Sequence, residues 1–344
     1  MSSPARATVA VTKAMRIHGP GGPEVMCWED VAVGAPGPGQ VRLRQHAIGL
    51  NFVDVYHRTG LYKLPLPAVL GVEGAGVVEA LGPGVTALQI GDRVAYERPP
   101  GAYAEMRLAP ADRMVRLPDA ISFEQAAGLL LKGLTVQMLV RRVYRVRAGE
   151  TVLLHAAAGG VGLLACQWLR SLGVTVIGTV GTQAKAELAR ANGCTHVLVL
   201  GEDDIPARVR QLTDGAGVPV VYDSIGRDTF ALSLQCLRPM GMMVSVGTGR
   251  AVCAVAAGGT WLPVPHAPVL ERLRDARRRL AGHGRRTVRA GAGRAAQCRH
   301  PATLPAARRR PGTPRPGGPP HHGCQRAVAL IGADSLLEPA DPTG

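Results

Sequence analysis

The segment from residue 149 to residue 170 limits most strongly what this chain can fold into. It reads GETVLLHAAAGGVGLLACQWLR, and a further apolar run follows at 174–180. The pattern is an apolar strand, a turn of alanine and glycine, an apolar helix and a second strand, which is typical of a dinucleotide-binding βαβ unit. Small residues let the backbone approach a pyrophosphate, and the helix N-terminus stabilises its charge. We therefore expect five residues to bind the pyrophosphate: Ala158, Gly159, Gly160, Val161 and Gly162.

The end of the second strand indicates which nucleotide is preferred. A site for NAD usually carries Asp or Glu about 20 residues past the glycines, where it binds the ribose 2′-hydroxyl. Residues 174–186 read VTVIGTVGTQAKA and contain no carboxylate. They offer instead the hydroxyls of Thr179 and Thr182 and the cation of Lys185, which would accept a 2′-phosphate. The sequence thus favours NADP(H), although Lys185 can also be read as an ordinary solvated helix residue.

Strand and helix patterns alternate over the rest of this region. Apolar strand-like runs lie at 151–155, 174–180, 197–200, 218–223 and 242–246, with helical patterns at 161–172, 183–192, 204–213 and 228–237. Such alternation predicts an α/β fold with a doubly wound parallel sheet, whose ligands bind at the carboxyl ends of the strands. A helical pattern at 122–146 precedes it. Residues 14 to about 120 instead show short strand-like runs separated by glycine and proline, which predicts a mostly antiparallel β-rich domain.

Several separated motifs resemble one known family. Besides 149–170 they lie at 18–25 (HGPGGPEV), 47–56 (AIGLNFVDVY), 58–62 (RTGLY), 71–76 (GVEGAG), 91–94 (GDRV), 131–135 (LKGLT) and 222–229 (YDSIGRDT). Over residues 14–249 the chain is similar to the zinc-independent quinone oxidoreductases, the zeta-crystallin branch of the medium-chain dehydrogenase/reductases. The resemblance implies a GroES-like catalytic domain at 14–121 and a Rossmann domain at 122–249. It also implies a homodimer. Residues 1–13 lack the apolar core of a signal peptide, and we expect them to form a flexible tail.

The resemblance further implies the residues of the site. Asn51, Asp54, Tyr56 and Tyr62 would lie beside the nicotinamide and a quinone, where Asn51 or Tyr56 could polarise the quinone oxygen. Packing under a loop is the simpler explanation for the tyrosines, and helix capping for Asp54. On the cofactor side, the residues implied beyond the glycine turn are Lys132, Thr135, Ser224, Val246 and Gly247. Two residues depart from the family near the cofactor, namely Leu200 in place of a tyrosine and Gln137 in place of an aromatic residue. The first departure weakens the NADP(H) assignment.

Metal catalysis is disfavoured by the same comparison. Zinc-dependent relatives carry a cysteine in the region of residues 51–54 and a histidine where this chain has Val72. Without those side chains a three-ligand zinc set does not form. The seven cysteines are scattered and never spaced Cys-x-x-Cys, which favours reduced thiols and a cytoplasmic protein.

The positive charge of the chain is concentrated in one segment. Residues 1–249 hold 24 Lys and Arg against 20 Asp and Glu, whereas residues 250–344 hold 16 Arg, no Lys and 5 acids. The second segment is rich in Arg, Pro and Gly, and no family motif is readable in it. We interpret it as the product of a gene read out of frame from about codon 250, or alternatively as a genuine basic, disordered tail.

Three classes of function remain open on the sequence. The first is NADPH-dependent reduction of quinones, with 2-alkenal or enoyl C=C reduction as a variant of the same hydride chemistry; its partner is a small molecule, not a membrane. The second is nucleic-acid binding through the basic segment, which charge alone supports. The third is an inactive remnant whose incomplete sheet leaves an exposed edge.

Overall fold

A computed structural model describes residues 9–246 and two further strands at 253–257 and 260–264. Predictions that concern residues 1–8, Gly247 and the segment from 265 onward lie outside the described residues. Contacts divide the described chain into two compact units, with the division after Gly128. The predicted boundary lies at 121/122, at the start of the same helix. In the described part of the chain, no helix is both long and apolar enough to cross a membrane.

The first unit is built from two antiparallel sheets and one helix. Its strands are β1 (Ala10–Ile17), β2 (Met26–Val33), β3 (Gln40–Gly49), β4 (Ala68–Val69), β5 (Glu73–Leu81), β6 (Arg93–Glu97), β7 (Met106–Pro110) and β8 (Met114–Arg116). One sheet has the order β7-β3-β5-β6-β8 and the other β2-β1-β4. Apolar residues of β3, β5 and β6 form the core of this unit, which confirms the predicted β-rich fold.

The helix α1 (Phe52–Arg58) follows β3 directly. The sequence analysis did not predict this helix, because its seven residues are too few to show a helical period. Its signal is local instead. Asn51 occupies the N-cap, and Asp54 lies three residues later with its carboxylate accepting from the Asn51 backbone N–H at 3.0 Å.

The second unit is a parallel sheet with helices on both faces. The helix α2 (Phe123–Met138) leads into it, followed by β9 (Thr151–Leu154), α3 (Gly160–Ser171), β10 (Thr175–Val180), α4 (Gln183–Ala191), β11 (His196–Val199), α5 (Ile205–Gln211), β12 (Val218–Asp223), α6 (Phe230–Cys236) and β13 (Leu237–Ser245). The strand order is β11-β10-β9-β12-β13, and these five strands are parallel. The doubly wound prediction is confirmed, since separate apolar clusters cover the two faces.

Three boundaries differ from the prediction. The helix expected over 122–146 ends at Met138 and continues as a single π turn over Leu139–Val143, closed by the Tyr144 N–H on Leu139 O at 3.0 Å. The strand expected at 242–246 begins earlier, at Leu237, which pairs with Val218 of β12. The register then shifts before Met242, and Met240 has a φ of 60°. The third difference concerns the region after 249, where the sequence analysis found no strand.

Two antiparallel strands extend the sheet in that region. They are β14 (Cys253–Ala257) and β15 (Thr260–Val264), paired in the order β13-β14-β15. In the sequence each is an apolar run, and the pair Gly258-Gly259 between them is typical of a two-residue hairpin turn. The register of the two strands pairs Ala257 with Thr260. These strands were not predicted because the surrounding segment is rich in Arg, Pro and Gly, a composition that is typical of chains without regular structure.

Candidate functional site

The turn between β9 and α3 is shaped by close backbone contacts. The Gly159 N–H donates to Ala156 O at 2.9 Å, and Gly159 is the N-cap of α3. Ala156 has a φ of 52°, which places it in the left-handed region. The first N–H groups of a helix have no partner within the helix, so the start of α3 is the kind of terminus that binds phosphates.

Gly162 is the position in this turn where a side chain cannot fit. A Cβ there would lie 2.3 Å from Ala156 O and 2.7 Å from Ala157 O, and both contacts are with backbone. The absence of a Cβ therefore lets the first turn of α3 pack directly on the end of β9. This is the close packing of helix and strand that a dinucleotide fold requires of a glycine.

Lys132 approaches the same turn from α2. A Cβ on Gly160 would lie 3.0 Å from Lys132 Cε and 3.1 Å from its Cδ, so the lysine stem passes over the start of α3. Glycine at 160 makes room for the lysine as well as for a ligand. Backbone N–H groups, small residues and a nearby cation together suit a pyrophosphate.

Thr135 lies about one turn further along α2 than Lys132 and donates its hydroxyl to Leu131 O at 2.9 Å. Three other turn residues are half-buried around this point: Ala158, Gly159 and Val161.

The residues predicted to distinguish NADPH from NADH lie at the carboxyl end of β10 and at the start of α4, a region called the rim below. Thr182 is exposed and is the N-cap of α4, with its Oγ1 accepting from the Lys185 N–H at 3.3 Å. The first turn of α4 contains no acidic residue. One carboxylate reaches the rim from a distant part of the sequence, since Gln183 Nε2 donates to Glu202 Oε2 at 2.7 Å. Glu202 lies outside residues 174–186, the segment from which the cofactor preference was predicted, so the sequence pattern gave no sign of it.

Thr179 differs from the other rim residues because it is fully buried. Its hydroxyl lies 2.7 Å from Nδ1 of His155, which is also buried. This arrangement does not support the expected contact between Thr179 and a 2′-phosphate. The physical reason is the strand period, since the side chain of Thr179 points to the opposite side from its chain neighbours and into the sheet packing. We therefore leave Thr179 out of the proposed cofactor-binding set.

His155 belongs to a buried polar network that ends on Asp223. His155 Nε2 lies 3.0 Å from Ser233 Oγ, and Ser233 donates to Asp223 Oδ2 at 2.8 Å. Because Ser233 has a single hydroxyl proton and donates it to Asp223, Nε2 of His155 carries the proton that is donated to Ser233. The neutral ring then accepts from Thr179 through Nδ1. The network joins β9, β10, β12 and α6 at the carboxyl end of the sheet.

Asp223 also fixes the loop that carries Ser224. Its Oδ1 accepts from the backbone N–H groups of Ile225 and Gly226, each at 2.9 Å, and the Thr229 hydroxyl lies within hydrogen-bond distance of both carboxylate oxygens. The Val246 N–H donates to Asp223 O at 2.6 Å, so β12 and β13 are joined at the same point. Ser224 is exposed and Val246 half-buried at this edge. Gly247 lies outside the described residues.

The burial of His155 predicts acid sensitivity. Burial lowers the pKa of His155 from 6.5 to about 4, against the opposing effect of Asp223. Below pH 6.5 the unfolded chain binds a proton that the folded chain does not bind until about pH 4, so stability is full above this window and falls as the pH falls through it. A shift of this size corresponds to about 3 kcal/mol in the free energy of unfolding.

We expect chemical denaturation at a series of pH values to show this loss. In His155→Gln, the part of the decrease in the free energy of unfolding between pH 7 and pH 4 that is due to His155 should disappear. His18→Gln replaces an exposed histidine and should leave this decrease unchanged. An acid dependence that is equal in the unmodified chain and in His155→Gln would contradict the assignment.

In the first unit, α1 and the segment after it bring the four predicted substrate-site residues together. Asp54 is buried, and its Oδ2 accepts from the Asn51 N–H at 3.0 Å and from the Tyr103 hydroxyl at 2.9 Å. Burial and Asp54 raise the pKa of Tyr103, so its hydroxyl remains protonated. The capping explanation for Asp54, which the sequence analysis left open, agrees with these bonds.

Tyr56 and Tyr62 form an aromatic cluster on the outer part of this segment. Their ring centroids lie 5.3 Å apart, edge to face, and Phe52 packs on Tyr56 at the same distance. Phe52 is 59% exposed, so the cluster is open to solvent. Burial and Tyr62 raise the pKa of Tyr56, which keeps its hydroxyl a hydrogen-bond donor near neutral pH. An apolar aromatic surface with one hydroxyl donor suits a flat, oxygen-bearing substrate.

Glu73 contacts Asn51 and was not among the residues predicted for the site. It begins β5, is fully buried, and accepts from Asn51 Nδ2 at 2.7 Å through Oε2. The available signal was a lone carboxylate at the start of an otherwise apolar strand, GVEGAGVV. Buried charges are rare unless they are paired or functional.

Residues 9–246 contain no group of three His, Cys, Asp or Glu side chains that could hold a metal ion. Val72, which precedes Glu73, is fully buried. It occupies the position at which, as stated above, zinc-dependent relatives carry a histidine. In the sequence, His321, His322 and Cys324 also lie close together and could bind a metal in principle, but they are outside the described residues.

Two family models match the chain. Residues 37–119 match the alcohol dehydrogenase GroES-like domain, and residues 160–264 match the model described as zinc-binding dehydrogenase. The second match continues past residue 249, where the predicted resemblance ended, and covers β14 and β15.

Individual proteins are also similar over most of this range. A quinone oxidoreductase from Pseudomonas aeruginosa is 52% identical over 69% of this chain and 74% of its own length. A 2-haloacrylate reductase from a Burkholderia species is 50% identical over 69% of this chain and 73% of its own. The solved structure of Escherichia coli quinone oxidoreductase complexed with NADPH is 46% identical, covers 71% of this chain and 75% of that one, and has a TM-score of 0.68. The chain therefore belongs to the zeta-crystallin-like quinone oxidoreductase family of the medium-chain dehydrogenase/reductases.

Proposed function

We propose that this protein is an NADPH-dependent oxidoreductase that reduces quinones by hydride transfer without a metal. The observation that carries the proposal is the turn between β9 and α3, where Gly162 and Gly160 leave room for a pyrophosphate and Lys132 supplies a cation. Relatives 47 to 52% identical bear the name quinone oxidoreductase, and one solved relative is complexed with NADPH. When bound, NADPH supplies the hydride, and the protein supplies orientation and electrostatics.

On the cofactor side, the chain's own residues would bind three parts of the molecule. The N–H groups at the start of α3 and the Lys132 cation hold the pyrophosphate. At the start of α4, the Thr182 hydroxyl and the Lys185 ammonium group would donate hydrogen bonds to the 2′-phosphate. Ser224 and the Val246 backbone, fixed by Asp223, would contact the ribose and nicotinamide edge. A lysine in the first turn of a helix is electrostatically unfavourable, and an anion bound there removes that cost.

On the substrate side, Tyr56 would donate to a quinone oxygen. A tyrosine hydroxyl is protonated near neutral pH, and burial raises the pKa of Tyr56 further. A donor of this kind stabilises the negative charge that develops on the quinone oxygen as hydride arrives. Tyr62 and Phe52 would pack against the ring of the substrate.

A second candidate function is the reduction of activated C=C bonds. The observation that favours it is the 50% identity to a protein named 2-haloacrylate reductase. Comparing kcat/KM for 1,4-benzoquinone and for a simple enone, with NADPH as donor, distinguishes the two. The quinone proposal predicts the higher value for the quinone, and a higher value for the enone would replace it with the second candidate.

Lys185 is expected to set the preference for NADPH over NADH. Lys185→Ala should raise the Kd for NADPH by about tenfold, because one charge-assisted bond to the 2′-phosphate is lost, and leave the Kd for NADH almost unchanged. Glu202→Gln should act in the opposite direction, because it removes a negative charge from the same rim. Fluorescence titration of both cofactors measures these changes. Equal effects of Lys185→Ala on NADPH and NADH would show that Lys185 does not read the 2′-phosphate.

A further inference from the structure

Arg107 of β7 is a buried cation that forms no ion pair with any Asp or Glu of the described residues. It is 7% exposed, and all four of its hydrogen-bond acceptors are uncharged. Taking a guanidinium out of water is unfavourable unless an opposite charge or hydrogen bonds compensate the lost hydration. The surroundings of this side chain therefore require a physical explanation.

The neutral acceptors satisfy most of the guanidinium but not all of it. Nε donates to Leu108 O at 3.2 Å, and Nη2 donates to Pro100 O at 3.2 Å. Nη1 donates to Pro99 O at 3.1 Å and lies 3.5 Å from the Tyr96 hydroxyl oxygen. An arginine side chain carries five N–H groups, so these four contacts leave one N–H of Nη2 for a further acceptor.

Tyr96 does not supply the negative charge that the guanidinium lacks. The Arg107 guanidinium lies over the Tyr96 ring, with Cζ 5.0 Å from the ring centroid. Burial raises the pKa of Tyr96 against the opposing effect of Arg107, so the phenol stays neutral and donates to Gln45. The contact with the ring is favourable. It leaves the positive charge of Arg107 without a negative group in contact.

Open space lies next to Nη2 of Arg107. A Cβ on Gly101 would lie 3.3 Å from Nη2, so glycine at this position keeps that space free. Gly101 has a φ of 121°, a conformation that residues with a side chain rarely adopt. It lines two cavities, of about 280 Å³ and about 240 Å³, which also share Val69 and Pro100. The two cavities therefore adjoin each other at Gly101.

The smaller cavity combines this cation with an apolar wall. Arg107 and Thr12 are the polar side chains that line it, and most of the remaining wall is aliphatic: Ala14, Val31, Val33, Val69, Met106 and Leu108. All of its lining residues belong to the first unit. None of the four predicted substrate-site residues lines either cavity.

We propose that Arg107 and this cavity bind a small organic carboxylate with a short apolar chain. The carboxylate accepts from Nη2 of Arg107 and supplies the missing negative charge, and the chain covers the aliphatic wall. An inorganic anion would leave the wall in contact with water, and a neutral apolar molecule would leave the N–H without an acceptor. The volume is below that of a pocket for a drug-sized ligand, which favours a short chain.

Isothermal titration calorimetry of the full-length chain with hexanoate tests this site. We expect hexanoate to bind, and hexanamide, which has the same chain but no charge, to bind at least about tenfold more weakly. Arg107→Met removes the cation and should raise the Kd for hexanoate at least about tenfold. Arg116→Met is the matched control, because Arg116 is about half exposed and pairs with Asp92; it should leave the Kd within about twofold.

A second pair of variants leaves Arg107 in place. Val31 is half-buried and lines the cavity, so Val31→Phe should occupy part of it and raise the Kd for hexanoate at least about tenfold. Val11→Phe makes the same change on the neighbouring strand β1, at a residue that is 64% exposed and outside the cavity lining. It should leave the Kd within about twofold. Tm is measured for every variant, and if Arg107→Met does not fold, the Val31 and Val11 pair decides.

Hexanoate binding that weakens in Arg107→Met and Val31→Phe but not in their controls supports the site. Three results would overturn it: no binding of hexanoate by the unmodified chain, equal affinities for hexanoate and hexanamide, or an unchanged Kd in Val31→Phe. The titrations contain neither NADPH nor quinone, and a separate NADPH titration of the same sample reports on the proposed function. Either proposal can therefore fail without the other.

Discussion

Gly162→Ala is expected to abolish measurable NADPH binding and to destabilise the second unit. The added Cβ would lie 2.3 Å from Ala156 O and 2.7 Å from Ala157 O, and neither backbone atom can rotate away. Relief therefore requires α3 to move off the end of β9, which displaces the N–H groups that bind the pyrophosphate. Overpacking of this kind costs about 1–3 kcal/mol in the free energy of unfolding. The affinity should fall by more than the roughly tenfold loss expected for one lost charged hydrogen bond, because several N–H groups move together.

Gly128→Ala is the matched control. Gly128 lies within α2, and a Cβ there would meet no atom within 4 Å. Alanine in a helix interior should raise the free energy of unfolding by roughly 0.5–1 kcal/mol and leave NADPH binding unchanged. Fluorescence titration and thermal unfolding of both variants measure the effects. If Gly162→Ala binds NADPH as tightly as Gly128→Ala does, the close packing at Gly162 has no part in cofactor binding.

Asp223→Ala is expected to cause the largest loss of stability in the second unit. The substitution leaves the N–H groups of Ile225 and Gly226 and the hydroxyls of Thr229 and Ser233 without their acceptor. Each buried donor left unsatisfied costs about 1–3 kcal/mol, although some of this is recovered as the loop relaxes. We expect a net loss of at least about 3 kcal/mol, which corresponds to a Tm lower by roughly 6–12 °C in a chain of this size.

Asp223→Asn gives a graded comparison. Asparagine keeps one acceptor oxygen and the shape of the side chain, so we expect a loss of about half that size. Asp228→Ala is the control on the same loop, since the Asp228 side chain is 75% exposed and pairs with Arg227 at the surface. It should change the free energy of unfolding by less than about 0.5 kcal/mol. Equal Tm values for Asp223→Ala and Asp228→Ala would contradict the role assigned to the buried network.

The second unit was largely predictable because its information is local. The turn at 156–162 lies within one continuous segment, and short apolar strands separated by helix-length intervals leave few alternative topologies. The predicted strand and helix positions agree with the structure to within a few residues. There are two exceptions. The early part of β13 is irregular, with a register shift against β12 and a positive φ at Met240, and such an irregularity leaves no alternating pattern in the sequence. The strands β14 and β15 are short apolar runs within a segment of unusual composition.

The polar contacts of the site were less predictable because they join distant residues. Glu73 meets Asn51 across 22 positions, and His155 meets Ser233 across 78. Which face of β10 carries Thr179 depends on the register of the strand, and a shift of one residue reverses the side-chain direction. A sequence pattern identifies Thr179 as a hydroxyl near the site. Only the fold shows that the hydroxyl is directed into the sheet packing.

The most direct test is the initial rate of cofactor oxidation by the purified full-length chain. Absorbance of the reduced nicotinamide is followed with NADPH or NADH, with and without 1,4-benzoquinone, and again after treatment with EDTA. We predict quinone-dependent oxidation that is faster with NADPH than with NADH and is not reduced by the chelator. The absence of quinone-dependent oxidation in a chain that binds NADPH, or a rate that falls with EDTA, would contradict metal-independent quinone reduction.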